Sequence, residues 1–422
     1  MKKQIKGTDI IFYYEKLENG LEVIVIPLPF QTKYVTFSAK YGSDQLAFKI
    51  NNEKEIQTPS GIAHFLEHKL FEQEKIAVFE FFDKTGADAN ANTSHDKTTY
   101  LFSSPDNFAK NLNFLLDYVQ DPYLTDENVE KEKGIILQEL KMRMDHNQIF
   151  LYESTRSTVF KIHPAKISPG GEIADVKKIT KEDLMLCYNT FYHPSNMFVI
   201  ISGDVDPDKT IDLVRKNQAK KVFAKPPLIE LKKYHEPDEV AQKELIINRD
   251  VKTPKLTLNY KINMKHHQND EAFSAMILGL FVSCVFDKYG SLNEKLLPLI
   301  EDDIDVWSFV IEHHGVISVW VETNHVEKVA KIINDYLQNI EIDKKTFSRK
   351  KKMILSFYLQ LGDSTKQLNN IFAAQMARYG YIDEDIYLHR KNLRYEDFIK
   401  EVKKLNFTNY SKVIMQKNLQ KK

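Results

Sequence analysis

The same order of predicted secondary structure occurs twice along this 422-residue chain. In the first half, alternating apolar residues in Leu21–Ile26 and Tyr34–Tyr41 predict strands, and a helix is expected from about Pro59. In the second half, Lys255–Ile262 predicts a strand and Glu271–Cys284 a helix, and two more strands and a helix follow. This repeat favours an α+β fold with two homologous domains, each a mostly antiparallel sheet with helices packed on one face.

A charged stretch that contains prolines separates the two patterns. Residues 216–240 hold the lysine-rich run KNQAKK, the pair Pro226-Pro227 and the sequence HEPD, a composition typical of a linker. We therefore predict an N-terminal domain over residues 1–215, a linker over residues 216–240 and a homologous C-terminal domain over residues 241–422.

Composition limits the classes of protein that this chain can represent. Hydrophobic residues make up 42% of the chain, which is typical of a globular protein. The 59 basic and 59 acidic residues cancel, so no overall charge would hold nucleic acid or an anionic membrane. We find no pattern typical of a signal peptide or a membrane span. The only cysteines, Cys187 and Cys284, are predicted to be buried thiols, and a cytoplasmic location is expected.

Two histidines at helical spacing suggest a metal site. Thr58 is predicted to be the N-cap and Pro59 the first residue of a helix. His64 and His68 would then lie on one face, from which both imidazoles can reach one metal ion. Glu67 shares that face and could take a proton from water without binding the metal. The alternative is two surface histidines on an amphipathic helix.

A catalytic metal site needs a third protein ligand. The helix expected after residue 125 offers Glu132 and Glu139, which are seven residues apart and therefore point the same way. Leu137 and Leu140 are predicted to face the core, where a neighbouring carboxylate would be costly to bury without a cation. Taken alone, a glutamate-rich helix is more often a solvated face.

Four blocks of sequence together resemble the pitrilysin/insulinase family of zinc metallopeptidases. They are HFLEH at residues 64–68, GADANANTS and TTY within residues 86–100, E-x6-E-L at residues 132–140, and FYHPSNM followed by GD within residues 191–204. HFLEH has the inverted order of the HExxH motif. By its length, the chain is most similar to the two-domain bacterial branch, related to the beta subunit of the mitochondrial processing peptidase.

The resemblance implies a role for each residue of the two motifs. His64, His68 and Glu139 would bind Zn²⁺, Glu67 would act as general base, and Glu132 would orient a ligand histidine. The spacing from His68 to Glu139 is a few residues shorter than in many relatives, which a deletion in the intervening segment explains. Residues 1–215 would then be the zinc-binding peptidase domain, and residues 241–422 a homologous domain without a metal site.

Small side chains follow the first motif on a predicted strand. On an exposed sheet edge, such a strand would let an extended peptide substrate add as a further strand through backbone hydrogen bonds. The residues concerned are Ala89, Asn90, Ala91 and Thr93. The alternative is an ordinary interior strand with small side chains.

The second half lacks a residue pair that the resemblance leads us to look for. Active single-chain or homodimeric members of the family bring an arginine and a tyrosine, seven residues apart, to the oxyanion of the tetrahedral intermediate. Here Leu297 and Ile304 align with those places, and no arginine after residue 240 has a tyrosine seven positions later. We therefore expect a heterodimer with a homologous zinc-free subunit, more than a homodimer, and no nucleic-acid or membrane partner.

Three functions stay open from the sequence. The favoured one is a zinc-dependent endopeptidase that cleaves short or unfolded peptides, either in general turnover or in the removal of a leader peptide from a precursor. The others are a structural subunit on the same fold and a zinc-dependent peptide-binding module without turnover. Two remaining features have simpler interpretations: Gly170-Gly171 is predicted to form a turn, because it lacks the phosphate-binding pattern GxxxxGK, and His313-His314 a hairpin.

Overall fold

A computed structural model of the protein describes residues 1–74, 77–265 and 270–417. The strands are β1 (Lys2–Gln4), β2 (Ile11–Lys16), β3 (Glu22–Pro27), β4 (Lys33–Ala39), β5 (Ala47–Ile50), β6 (Ile56–Gln57), β7 (Asp88–Thr93), β8 (Thr98–Ser104), β9 (Met197–Gly203), β10 (Ile229–Leu231), β11 (Glu244–Asn248), β12 (Lys255–Asn263), β13 (Asp305–Ile311), β14 (His314–Glu322) and β15 (Tyr410–Gln416). The α-helices are α1 (Ile62–Leu70), α2 (Val78–Lys84), α3 (Phe108–Val119), α4 (Asp126–Asp145), α5 (Asn147–Val159), α6 (Ile173–Val176), α7 (Lys181–Phe191), α8 (Pro207–Gln218), α9 (Glu271–Val285), α10 (Ser291–Leu296), α11 (Val326–Gln338), α12 (Lys344–Gln360), α13 (Thr365–Tyr379), α14 (Ile386–Asn392) and α15 (Tyr395–Val402). Among these helices, none is both long enough and apolar enough to cross a bilayer.

The chain forms two compact units whose segments alternate along the sequence. The first unit consists of Met1–Met142, Ile167–Lys233 and Phe357–Tyr387. The second unit consists of Arg143–Lys166, Tyr234–Ser356 and Leu388–Lys422, as far as these residues are described. The division at residues 216–240 stays a prediction, since these units are defined by spatial compactness and each takes residues from both halves of the chain.

The two units share one sheet topology. In the first unit, five neighbouring strands of the main sheet follow the order β3-β9-β4-β8-β7, and in the second unit the sheet order is β11-β15-β12-β14-β13. In each set of five strands, the two that come first and last in the sequence pair in parallel, and the other pairs are antiparallel. The predicted α+β class with two similar domains is therefore confirmed.

Side chains that alternate along β4 divide the first sheet between two layers. Val35 and Phe37 are fully buried in the main hydrophobic core of this unit, on the side of α1 and α3. Thr36 points to the other face, where its hydroxyl donates to Asn369 Oδ1 of α13 at 2.7 Å. The Asn369 amide in turn donates to the main-chain oxygens of Tyr34 and Ile200, so α13 closes this face of the sheet.

Helix α5 covers the second sheet in a similar way. It packs on β15 and β12, where Thr155 shares a hydrogen bond with Thr257 at 3.1 Å and Thr158 accepts one from Ser411 at 2.6 Å. Each sheet thus has a helix on the face opposite to its main core, in addition to the helices that the repeat predicts. These buried side-chain bonds satisfy polar groups that burial would otherwise make costly.

The predicted start of α1 is wrong. Thr58 and Pro59 lie before the helix, which begins at Ile62 after Gly61 as the N-cap residue. Both the Thr58 amide and its hydroxyl donate to the Leu46 main-chain oxygen, at 2.8 and 3.1 Å, so the side chain has a partner other than the helix. Gly61 makes the turn into the helix with φ 86°, a backbone conformation that favours glycine.

Several local predictions are confirmed. β13 and β14 form the predicted antiparallel hairpin, with His313 in the turn and His314 as the first residue of β14, and Glu312 in the same turn has φ 52°. Cys187 and Cys284 are buried free thiols. Residues 168–171 form a turn in which the Gly171 amide donates to the Ser168 main-chain oxygen at 2.8 Å, and Gly171 has φ 82°.

Candidate metal centre

Close packing of glycines fixes the start of α1. A Cβ atom at Gly61 would lie 2.5 Å from the main-chain oxygen of Gly170, so only glycine allows this approach. Ser60 strengthens the contact, since its hydroxyl donates to Asp175 at 2.8 Å and accepts from the Glu172 amide at 3.0 Å. The sequence predicted the turn at Gly170-Gly171 but not its contact with the helix that carries the histidines. The double glycine was the available signal.

One face of α1 presents both predicted histidines to a carboxylate of α4. The rings of His64 and His68 have centroids 4.6 Å apart. Glu139 lies opposite them, with its two carboxylate oxygens 3.9 Å from His64 Nε2 and 3.5 Å from His68 Nε2. One ligand atom from each residue lies within 4.8 Å of the others, so the three can hold a metal ion.

The donor set and its spacing fit zinc. Two imidazoles and one carboxylate are a combination that catalytic zinc sites use, with a further position open. Ligand atoms at about 2.0–2.1 Å from a tetrahedral ion lie about 3.3 Å from one another, so small side-chain movements close this site. The side chains of His64 and Glu139 are partly exposed, at 14% and 36%, which leaves the site open on one side.

Glu132 lies behind one of the histidines. Its Oε1 atom is 2.9 Å from His68 Nδ1, and its side chain is only 15% exposed. The hydrogen bond with His68 holds the pKa of Glu132 below its usual value. A carboxylate in this place fixes the ring orientation and leaves Nε2 as the atom that faces Glu139.

The next residue in the helix is a lysine that the sequence analysis did not single out. Lys69 is completely buried, and its Nζ atom donates to the Asn128 main-chain oxygen at 3.2 Å and pairs with Glu72. Its charge is one of the causes that lower the pKa of Glu132. A lysine in an apolar face of a helix is the sequence signal for such a buried pair, but its acidic partner cannot be identified without the fold.

Glu67 lies beside the histidines in a protected place. It is 9% exposed, and its burial raises the pKa of the carboxyl above its usual value. The Thr93 hydroxyl donates to Glu67 Oε2 at 2.6 Å and partly offsets that effect. Thr93, predicted as part of a substrate-binding strand, thus contacts the candidate base directly.

Strand β7, which carries Thr93, is an edge strand. It pairs antiparallel with β8 and stands last in its sheet, with no further strand beyond it among the described residues. The alternative of an interior strand is therefore wrong. Ala89 and Ala91 pack against the core, whereas Asn90 and Asn92 are exposed. Half of the small side chains thus face solvent along an edge that has backbone groups available for pairing.

The two places that align with the missing arginine and tyrosine lie in the second unit. Leu297 begins a short 3₁₀ turn, Leu297–Leu299, and is 59% exposed. Ile304 is half-buried and packs on the core of that unit. Neither side chain can donate a hydrogen bond to an oxyanion.

Comparisons with known proteins identify a family of similar proteins. A family profile described as "Insulinase (Peptidase family M16)" matches residues 51–170, and one described as "Peptidase M16 inactive domain" matches residues 178–354. The uncharacterized zinc protease YmfH of Bacillus subtilis is 38% identical over 89% of this chain and 88% of its own length. A probable beta subunit of the mitochondrial-processing peptidase of Arabidopsis thaliana is 28% identical over 48% of this chain and 40% of its own length.

A solved structure is similar over nearly the whole chain. The crystal structure of a putative M16-like peptidase from Alicyclobacillus acidocaldarius has a TM-score of 0.90 and 31% sequence identity. The similarity covers 97% of this chain and 99% of that one. The similarity therefore includes both compact units and not only the segment with the histidines.

Proposed function

Since this chain belongs to the insulinase family, peptidase family M16, we propose that it is a zinc-dependent endopeptidase. The zinc ligands are His64, His68 and Glu139, and the general base is Glu67. The observation that carries the proposal is the approach of the two imidazole Nε2 atoms to the Glu139 carboxylate, beside a buried carboxylate that has a raised pKa. Relatives named zinc protease, from Bacillus subtilis and Helicobacter pylori, support the assignment.

The chemistry divides between the ion and the protein side chains. A zinc ion in this site supplies Lewis-acid polarisation of a peptide carbonyl and of water. Glu67 accepts a proton from the attacking water and returns it to the leaving amine. The hydrogen bond from Thr93 fixes one oxygen of Glu67, so the carboxylate keeps one orientation through both transfers. Burial makes Glu67 a stronger base than an exposed glutamate.

Glu132 positions His68 and does not touch the substrate. It accepts the Nδ1 proton of His68, so the neutral ring offers its Nε2 lone pair to the ion. The negative charge on the Glu132 carboxylate also makes the His68 imidazole a better electron donor to the ion.

The free edge of β7 is proposed as the place where the substrate binds. An extended peptide can pair with backbone groups of this edge, close to Glu67 through Thr93. Recognition through backbone groups depends little on side-chain identity, and Ala89, Asn90 and Ala91 leave room for the substrate. Short or unfolded peptides are therefore the expected class, including the leader of a peptide precursor.

The experiment combines zinc content with cleavage of unstructured fluorogenic peptides. Glu67→Gln is expected to keep the zinc at this site and to lose cleavage, whereas His64→Ala is expected to lose both. Glu127→Gln, an exposed glutamate at the start of α4, is the matched control and should keep both. If Glu67→Gln cleaves as fast as the unchanged chain, the proposed mechanism is wrong. A non-catalytic peptide-binding or structural role is favoured instead if the unchanged chain binds zinc but cleaves none of these peptides.

We further propose that the chain acts as the metal-bearing subunit of a cytoplasmic heterodimer. Leu297 and Ile304 cannot replace an arginine and a tyrosine at an oxyanion, and one similar protein is named as a subunit of a peptidase. The isolated chain should bind zinc and cleave slowly. Addition of a homologous chain that has the arginine and tyrosine but no HxxEH should raise the rate. Rapid cleavage by the isolated chain, lost in Glu67→Gln, would exclude the partner and keep the peptidase.

A further inference from the structure

A second cluster of metal-binding side chains lies in the second unit. His313 is in the turn of the β13–β14 hairpin, and His314 is the first residue of β14. Both rings approach Asp238, whose Oδ1 atom is 2.8 Å from His314 Nε2 and 3.7 Å from His313 Nε2. One ligand atom from each residue lies within 4.8 Å of the others, as in the cluster around Glu139.

Hydrogen bonds to two other oxygen atoms of Asp238 hold its carboxylate in place. Asp238 Oδ2 accepts a hydrogen bond from the Asn263 amide at 2.8 Å. The main-chain oxygen of Asp238 accepts another from the Asn409 amide at 2.7 Å. Oδ1 is therefore the atom left to face the two histidines. A ligand that is fixed before binding loses little freedom when an ion arrives.

The hairpin turn is also attached to the segment that carries Asp238. Glu312 accepts hydrogen bonds from the main-chain amides of Tyr234 and Glu236, each at 3.3 Å. The turn and the segment are thus held side by side without an ion. This arrangement brings together residues that are about 75 positions apart in the sequence.

Two ring nitrogens of the cluster have no hydrogen-bond partner among the described residues. His314 is completely buried, and its Nδ1 atom has no hydrogen-bond partner within the described residues. His313 Nε2 is also buried and has no hydrogen-bond partner among those residues, because Asp238 Oδ1 is 3.7 Å away and therefore beyond hydrogen-bond length. Buried nitrogens without partners are uncommon in proteins, and an ion would satisfy the Nε2 lone pair of His313.

We propose that Asp238, His313 and His314 form a second metal site, which binds a divalent transition-metal ion such as Zn²⁺. The ligand atoms are Asp238 Oδ1 and the Nε2 atoms of the two histidines. Two imidazoles and a carboxylate suit Zn²⁺, Ni²⁺, Co²⁺ and Cu²⁺ and disfavour Mg²⁺ and Ca²⁺, which prefer oxygen ligands. This proposal departs from the expectation that residues 241–422 have no metal site, and it involves none of the residues of the proposed active site.

The proposed ion has a structural role and not a catalytic one. It fastens residues 234–238 to the hairpin, where Glu312 already holds two main-chain amides. Within the described part of the chain, His314 Nδ1 has no acidic partner of the kind that Glu132 gives to His68. The positive charge of Lys265 also acts on the cluster and opposes the binding of a cation. The second site should therefore bind its ion more weakly than the first.

Counting zinc ions on the full chain tests the proposal. The chain is stripped with a chelator, supplied with excess zinc chloride and measured by native mass spectrometry. The unchanged chain should bind a second ion, which dilute chelator removes first. Asp238→Asn and His313→Ala should each lose that ion and keep the one that His64→Ala removes. An asparagine side chain can still accept the hydrogen bond from His314, but it loses the one that Asp238 Oδ2 accepts from Asn263.

Matched controls are His325→Ala and Asp250→Asn, which change exposed residues of the same unit. Both should bind as many ions as the unchanged chain. Circular dichroism of the metal-free variants checks that the fold is kept. The proposal is overturned if Asp238→Asn and His313→Ala bind as many zinc ions as the unchanged chain.

Discussion

Replacement of Glu132 by glutamine should weaken zinc binding without removing a ligand. The side-chain oxygen of the glutamine can still accept the Nδ1 proton of His68, so the bond of 2.9 Å is kept as a neutral one and only the charge is lost. Loss of a residue that supports a metal ligand weakens affinity by about 10–100-fold, which equals roughly 1.4–2.7 kcal/mol. Because the bond survives, we expect about tenfold for Glu132→Gln. Glu132→Ala, which leaves His68 without its acceptor, should approach about 100-fold.

The affinity is best measured by competition with a chromophoric zinc chelator on metal-free protein. An Asp238→Asn background removes the second proposed site, so that only one ion is counted. Glu130→Gln is the matched control, since this glutamate lies on the same helix with its side chain 68% exposed and pairs only with Lys133 among the described residues. Equal zinc affinities for Glu132→Gln and Glu130→Gln, whether both are unchanged or both are weakened, would refute a role of the Glu132 charge in zinc binding.

Three further predictions concern buried charges. Burial raises the pKa of Glu67 in the folded chain, so ionisation of this carboxyl costs stability as pH rises through that pKa. Metal-free Glu67→Gln should therefore melt at a higher temperature than the unchanged chain above that pKa. This gain should decline as pH falls below it and vanish below the ordinary pKa of a glutamate in the unfolded chain. An equal gain at all pH values in thermal denaturation would contradict the cause. Thr93→Val removes the hydrogen bond that lowers the pKa of Glu67, so the acid limb of the pH profile of kcat/KM should move to higher pH. A profile that does not move would show that Thr93 does not set the pKa of the catalytic base. The side chains of Glu236 and Lys261 form a completely buried ion pair, so Glu236→Gln leaves the Lys261 ammonium without its charged partner. The free energy of unfolding, measured by urea denaturation, should fall by about 3–5 kcal/mol. Glu239→Gln changes an exposed glutamate and is the control, so it should cost much less stability than Glu236→Gln. Similar losses for the two variants would count against the buried pair.

Local spacing was enough to predict much of the candidate site. A separation of four residues places His64 and His68 on one helical face wherever the helix begins, so the wrong N-cap at Thr58 did not affect it. Glu139 was different, because the seven-residue spacing on α4 gave two glutamates with equal claim. The resemblance, together with the cost of burying a carboxylate beside Leu137 and Leu140, favoured Glu139 as the ligand. In the structure the Glu139 carboxylate lies 3.9 and 3.5 Å from the Nε2 atoms of His64 and His68, and Glu132 lies 2.9 Å from His68 Nδ1.

Other features depend on contacts that no local pattern contains. The polar face of α13 does not reveal that Asn369 binds main-chain oxygens of two strands in the first unit. In the same way, His313 and His314 were predicted to lie in a hairpin, and their neighbour Asp238 is far away in the sequence. Helix and strand periodicity describes which face is apolar, but not which distant element covers it.

The sheet order also sets when each unit can be finished during synthesis. β15 lies between β11 and β12, so the second sheet has a gap in its middle until residue 416 has been made. The first unit is incomplete until α13 has been made, since Asn369 of this helix hydrogen-bonds to Thr36 of β4 and to the Ile200 main-chain oxygen of β9. Residues up to Tyr379 must therefore be made before the first sheet is covered on both faces, and residues up to Gln416 before the second sheet is continuous. Shortened fragments of the first half would carry the HxxEH helix on a sheet that still has one bare face.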